Sequence, residues 1–286
     1  MKKIIYFIEF IIICFLFFVF KVLGYKLSSN LGFFIGKTFG PLFRSKKLVI
    51  DNLKKSNIQL KKNYNDSANQ IFGNYGRIFA EYPFIKNFRK GNLERYIEID
   101  GKKYLDEIKS KNKKVVFISG HFNNFELMAM EIEKSGVDLS AIYRPLNNIF
   151  LNKIMENIRT NYICQKQIKK GRSGTREIIE NLKKGSSIAL MIDQRVREGV
   201  KVNFFGNLAT TTTIPAQLVK KYKCELVPIY IERRSKFHFK MYVSKPIKVG
   251  ENKTVDEITE FLNTVLEKMI LKNPLQWIWT HDRWKK

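Results

Sequence analysis

KKVVFISGHFNNFELMAMEIEKSG, residues 113 to 136, decides the fold. Its apolar run VVFIS is continuous rather than alternating, the pattern of a strand covered on both faces. The run stops at Gly120 and His121, and an amphipathic stretch then continues to Gly136, a residue type that ends helices. A buried strand feeding directly into a helix is half of a βαβ unit. The rhythm repeats: LSAIY precedes NNIFLNKIMENIR, and SGTREIIENLKKG, closed by Gly185, precedes SSIALMID. Further on, CELVPIYIERR and KFHFKMYVSKPI read as two more strands, and TVDEITEFLNTVLEKMILK as a long amphipathic helix. The expected fold is α/β, a single sandwich-like domain with a mostly parallel central sheet flanked by helices. Ligands of open sheets gather outside the carboxyl ends of the strands. His121, Arg144 and Asp193 each fall at such an end.

Upstream the pattern differs. From Ile4 to Phe20 the chain is apolar with Glu9 as its only charge, a run near the roughly 20 residues that cross a bilayer. Bulky residues follow it, not the small ones of a signal-peptide cleavage site, so an uncleaved anchor is expected. The shorter LGFFIGKTFGPLF holds too many glycines to span, and suits a membrane interface or the lining of an apolar groove. Residues 45–88 read as helical, with Pro83 terminating or kinking SANQIFGNYGRIFAEYPFI. The simplest division is an anchor over 1–26, a helical membrane-proximal region over 27–92 and an α/β core over 93–286.

At 286 residues with 44% hydrophobic content, the chain can fill a core of that size. Fifty-two Lys and Arg against 26 Asp and Glu leave +26, a field that attracts anionic lipid, nucleic acid or an acidic carrier protein. A bias toward Lys, Ile, Asn and Phe, as an AT-rich genome produces, accounts for part of that excess. Cys14, Cys164 and Cys224 have neither zinc-site spacing nor an even count, and read as reduced thiols. The large basic body is expected on the cytoplasmic side.

The spacing of His121 and Glu126 admits two readings. With Asn123 as N-cap, Glu126 sits in the first helical turn. There it can accept a hydrogen bond from the imidazole and leave the other ring nitrogen free to take a proton. Alternatively, Asn123 and Glu126 form a capping box and nothing more. GRSGTR, residues 171 to 176, offers Arg172 and Arg176 beside a helix N-terminus with Ser173 as N-cap, an arrangement that can hold phosphate. His238 alternates with aromatics on a strand, and His281 and Asp282, being adjacent, point oppositely.

Taken in order, SGHFNNFE, AIYRP, MIDQRVREGVKVNFFGNLATTTTIPAQLV, CELVPIYIERR and PLQWIWTHDRWK resemble the late acyltransferases of lipid A biosynthesis, within the lysophospholipid acyltransferase superfamily. The resemblance covers nearly the whole chain. The H-x4-E element is weak alone; the ordered series of blocks is specific. It implies an inner-membrane enzyme with its catalytic domain at the cytoplasmic face, using neither metal nor cofactor. The acyl donor would be acyl carrier protein, and the acceptor a hydroxyl of a phosphorylated, anionic glycolipid.

Carried over, His121 is the general base and Glu126 its orienting partner. Asn123 and Asn124 lie by the substrate at the helix start, whose N–H groups, or an arginine, would serve the oxyanion. Arg144 and Arg172 would bind anionic substrate. Asp193 and Gln194 would position substrate or fix the fold. Phe204, Phe205 and Gly206 would form the wall and turn of the acyl groove, with Thr210 to Thr213 capping the next helix. Arg283 belongs to a terminal block whose Trp277, Trp279 and Trp284 would sit at the membrane interface. The family usually has glycine near Ile214 and Pro215, which this chain lacks. No G-x-S-x-G elbow is present, in keeping with direct attack without an acyl-enzyme. Two other function classes remain open: a relative acting on a lyso-phospholipid, aminolipid or glycosyl lipid, and a basic membrane- or nucleic-acid-binding protein. No nucleic-acid module is recognisable, so nucleic acid is not an expected partner.

Overall fold

The computed structural model describes residues 2–285, the side chain of Arg172 excepted. The chain opens with three helices, α1 (Lys2–Phe43), α2 (Lys46–Lys55) and α3 (Tyr64–Glu81), followed after a short 3-10 turn by α4 (Ile85–Arg89). The core follows as β1 (Ile97–Asp100), α5 (Lys102–Ser110), β2 (Val115–Ser119), α6 (Glu126–Lys134), β3 (Leu139–Tyr143), α7 (Ile149–Ile158), β4 (Lys166–Lys169), α8 (Arg172–Lys183) and β5 (Ser187–Met191). It is completed by the hairpin β6 (Val200–Phe204) and β7 (Asn207–Thr211), then α9 (Ile214–Tyr222), β8 (Glu225–Arg233), β9 (Phe239–Val243) and α10 (Val255–Lys272).

Seven strands form one sheet in the order β1-β9-β8-β2-β5-β3-β4. Neighbours are parallel except β8 and β9, which are antiparallel. The mostly parallel α/β sheet expected from the apolar runs is therefore what forms. Every residue of β2 is buried, because helices cover both faces. Consequently β8, β2, β5, β3 and β4 deliver their carboxyl ends to one edge.

α1 is broken at Gly24, whose φ of 76° and ψ of 165° are not helical. The segment after the break carries Gly32 and Gly36, which face Gly76 of α3 so closely that a Cβ on any of the three would strike the opposite backbone. Small residues one turn apart let two helix backbones approach this way. LGFFIGKTFGPLF is thus a helix-packing surface on its glycine side, while Phe34, Phe39, Leu42 and Phe43 stay exposed.

Local expectations are corrected at four places. Helix α6 starts at Glu126 with Phe125 at the cap position, and Asn123 adopts a φ of 44° outside the helix. Helix α8 is entered from Gly171, so Ser173 lies inside it rather than capping it. Thr210 and Thr211 belong to β7, leaving Thr213 as the cap position of α9. Trp277, Trp279 and Trp284 are 2%, 0% and 6% exposed, core residues rather than membrane-interface anchors. Each indole N–H has a partner inside the protein: Asp193, the Pro274 carbonyl and the Phe204 carbonyl.

Candidate active site

Strand register brings the central pair together. Ser119 of β2 lies opposite Met191 of β5, so the second residue beyond each strand, His121 and Asp193, meet at the sheet edge. His121 Nδ1 is 2.8 Å from Asp193 Oδ1, and the His121 backbone N–H donates to Asp193 Oδ2 at 2.6 Å. The Trp277 indole donates to the same Oδ2 at 2.9 Å. Asp193 is fully buried, whereas the His121 side chain keeps 21% exposure. Its ring packs edge-on to Phe125, with centroids 4.8 Å apart.

The two groups reinforce each other's charge. Burial disfavours the imidazolium, but the charge and hydrogen bond of Asp193 more than offset it and lift the His121 pKa above its ordinary value. Burial also opposes ionisation of Asp193, and His121, with the N–H donors around it, holds that carboxyl below its ordinary range. A carboxylate on Nδ1 fixes the tautomer and leaves Nε2 as the lone-pair nitrogen.

Glu126 is placed differently from the expectation that it steers His121. Its Oε1 receives both Nε and Nη2 of Arg159, at 2.9 and 2.7 Å, and the Tyr82 hydroxyl at 3.4 Å. It does not cap Asn123, whose amide N–H donates to the Gln276 carbonyl at 3.0 Å. Arg159 opens a single π-helical turn, Arg159–Ile163, that ends α7. Such bulges frequently mark functional positions. Arg159 Nη1 is buried without a partner among the described residues.

Asn123 and Asn124 point inward. Asn123 bonds the Gln276 side chain through Nδ2 and receives Arg233 Nε at 3.3 Å through Oδ1. Asn124 donates to Glu81 at 3.3 Å. Glu81 and Arg233, both buried, form a two-point ion pair with contacts of 2.8 Å. Ser29 of α1 closes onto Glu81 at 2.6 Å. Both asparagines are therefore tied into a polar network that pins the His121 loop to α1, α3 and β8.

The remaining candidates divide. Tyr143 pairs with Lys169, which sets exposed Arg144 and Lys170 side by side at the same strand-end edge. Partial desolvation and the nearby Arg144 charge both lower the Lys170 pKa. Gln194, half-buried, follows Asp193 along the same edge. Arg172 falls outside the described side chains. Phe205 and Gly206 are the two central residues of the β6–β7 hairpin, with φ of 52° and 71°, the signature of a type I′ turn. Phe205 donates its backbone N–H to Glu267 and accepts at its carbonyl from the Asn207 side-chain amide. Phe204 packs on Trp277 and Trp284, so this element backs the site rather than exposing a groove wall. Arg283 is wholly buried and donates to the Thr210 carbonyl at 2.8 Å and Thr211 Oγ1 at 2.7 Å, fastening that hairpin instead of facing substrate. His281 Nε2 accepts the Arg195 N–H at 2.8 Å, a structural role.

Sequence reasoning passed over Arg159, Glu81 and Arg233, and assigned Trp277 to the membrane interface instead of to Asp193. Only the ER ending of CELVPIYIERR and the tryptophan of PLQWIW carried any local signal.

The sequence model of the family described as bacterial lipid A biosynthesis acyltransferase matches residues 1–286. Among curated proteins, the chain is 24% identical over 220 residues to the lipid A biosynthesis palmitoleoyltransferase of Escherichia coli (strain K12), covering 75% of this chain and 70% of that protein. It is 24% identical over 220 residues to a lipid A biosynthesis acyltransferase of Shigella flexneri, with the same coverage of 75% and 70%. Against the lipid A biosynthesis lauroyltransferase of E. coli (strain K12) the identity is 25% over 201 residues, 68% of this chain and 63% of that protein.

Proposed function

Because the chain belongs to the bacterial lipid A biosynthesis acyltransferase family, and is thus an acyltransferase, we propose that it moves a fatty acyl chain from an acyl carrier protein thioester to a hydroxyl of a Kdo-lipid IVA type precursor. The observation that carries the mechanism is the His121–Asp193 pair at the carboxyl ends of β2 and β5, one imidazole nitrogen bonded and the other free. The acceptor hydroxyl donates its proton to His121 Nε2 as its oxygen attacks the thioester carbonyl. Asp193 stabilises the imidazolium that forms. When the tetrahedral intermediate collapses, the C–S bond breaks and the departing thiolate takes the proton back from His121. Arg159, held by Glu126 and keeping Nη1 unspent, supplies a donor for the oxyanion. Glu126 therefore acts by aiming Arg159, and Asp193 takes the orienting role on His121.

Arg144 and Lys170 form the receptor for an acceptor phosphate. The +26 charge favours both the acidic carrier and an anionic inner-membrane surface, with the catalytic edge on the cytoplasmic side. The test is transfer from acyl carrier protein to a tetra-acylated, phosphorylated disaccharide lipid. His121→Ala is expected to reduce turnover to background, and Arg144→Ala to raise the acceptor KM severalfold. Wild-type transfer by His121→Ala overturns the base assignment, and activity confined to a lyso-phospholipid overturns the acceptor.

A further inference from the structure

Helix α1 is long and apolar enough to cross a membrane, yet its segment before Gly24 does not stand free. Near its start the Asn148 amide donates to the Tyr6 carbonyl at 2.8 Å and to the Glu9 carboxylate at 3.0 Å, and the rings of Phe7 and Phe10 meet Phe150. Further along, Phe17 packs on Phe79 and Tyr82, Phe20 is buried against Phe79, and Lys21 reaches the Pro83 carbonyl at 3.1 Å. Residues 6 to 21 cover about 22 Å of helix, and the catalytic domain is fastened to both ends of that length. Tyr82 itself touches Glu126, so the helix is one wall of the domain that holds the site.

A helix fastened in this way carries its neighbours wherever it goes. Set across a bilayer, it would draw the start of α7, with exposed Arg144, Asn147 and Lys153 beside it, into hydrocarbon, where charged groups are costly. Laid along the surface, it meets no such conflict. Its face away from the domain is a continuous apolar stripe including Ile4, Ile8, Ile12, Phe15, Phe18 and Val22, the last two 66% and 72% exposed. Exposed lysines stand at both ends, Lys2 and Lys3 at one and Lys21 and Lys26 at the other. Basic residues at both ends of an apolar helix favour retention of both on the same, anionic face, where their stems can snorkel to the headgroups.

We propose that the chain is monotopic: the first segment of α1 lies within a single anionic leaflet, both its ends on the same side of the bilayer, and does not cross it. Membrane attachment and the wall beside the catalytic loop are then one element.

The experiment is sided labelling with a membrane-impermeant maleimide, which reads topology independently of any acyl transfer. Lys3→Cys and Lys26→Cys are made singly in a chain with Cys14, Cys164 and Cys224 replaced by alanine. Both are expected to react in inside-out vesicles and to be protected in spheroplasts. Reaction of both from the spheroplast exterior alone would overturn only the cytoplasmic placement taken from the proposed function, whereas reaction of the two from opposite sides overturns the proposal. So does failure of Lys3→Cys to react from either side while remaining reactive in detergent, because residue 3 would then lie inside the bilayer. Should the alanine background not accumulate, an amino-terminal epitope tag on the natural chain is tested for protease digestion in the same two preparations. Digestion from the vesicle exterior alone supports the proposal, and any other pattern opposes it.

Discussion

Replacing Asp193 by asparagine keeps the volume and removes only the charge and one acceptor. In the native site Oδ2 receives two fixed N–H donors, from the His121 backbone and the Trp277 indole, and Oδ1 faces His121 Nδ1. The asparagine oxygen must occupy the Oδ2 position, since an NH2 group there would confront two donors. Its NH2 then faces Nδ1, which has to become the acceptor, and the proton moves to Nε2. The nitrogen that should accept the substrate proton is now occupied. Loss of general-base assistance amounts to about 10²–10⁴ in rate, or about 3–5 kcal/mol of transition-state stabilisation at 1.36 kcal/mol per tenfold. A second consequence concerns pH. The reactive imidazole must be neutral and Asp193 lifts its pKa, so the acid limb of kcat/KM in the natural enzyme is expected above the ordinary histidine value of about 6.5. Without the carboxylate, the limb of any residual activity moves to lower pH. The assay is initial-rate acyl transfer in detergent micelles across pH, with a thermal melt confirming the fold. A folded Asp193→Asn variant within about threefold of the natural rate, or with an unmoved acid limb, refutes the reasoning.

Trp277→Phe removes one donor to the buried carboxylate while keeping an aromatic in the core. A hydrogen bond to a charged group contributes about 1.5–3 kcal/mol, so kcat is expected to fall about tenfold with KM little changed; a loss confined to KM would contradict the positioning role. Glu81→Gln breaks the buried pair with Arg233, which is expected to cost about 3–5 kcal/mol in denaturant unfolding, and a loss under about 1 kcal/mol would show that the network contributes little. Gly76→Val places a side chain against the Gly32 backbone; overpacking of about 1–3 kcal/mol or more should loosen α1 and raise its protease sensitivity, and an unchanged digestion pattern would contradict the close packing.

Much of the fold could be read locally. Continuous apolar runs bounded by polar helices specify buried parallel strands, because a strand covered on both faces has no position at which to place a polar residue. The same reading located His121, Arg144 and Asp193, since strand ends are visible as the places where those runs stop. It also separated the apolar amino-terminal helix from the core. The partner of His121 was not legible in this way. A histidine and a glutamate five positions apart invite pairing, whereas Asp193 stands 72 residues away, and its meeting with His121 follows from β2 lying beside β5 in a register no local pattern encodes. Glu126 went instead to Arg159, 33 residues on, the residue that opens the π-helical turn at the end of α7. The burial of Trp277 and Arg283 was equally hidden, as both sit in an irregular carboxyl-terminal segment whose environment is made entirely by other elements. Sequence by itself determined which residues stand at the sheet edge and that the chain has an apolar helix. Only the tertiary structure decided which of those residues touch, because hydrogen bonds and ion pairs act over about 3 Å in space and distance along the chain does not measure that.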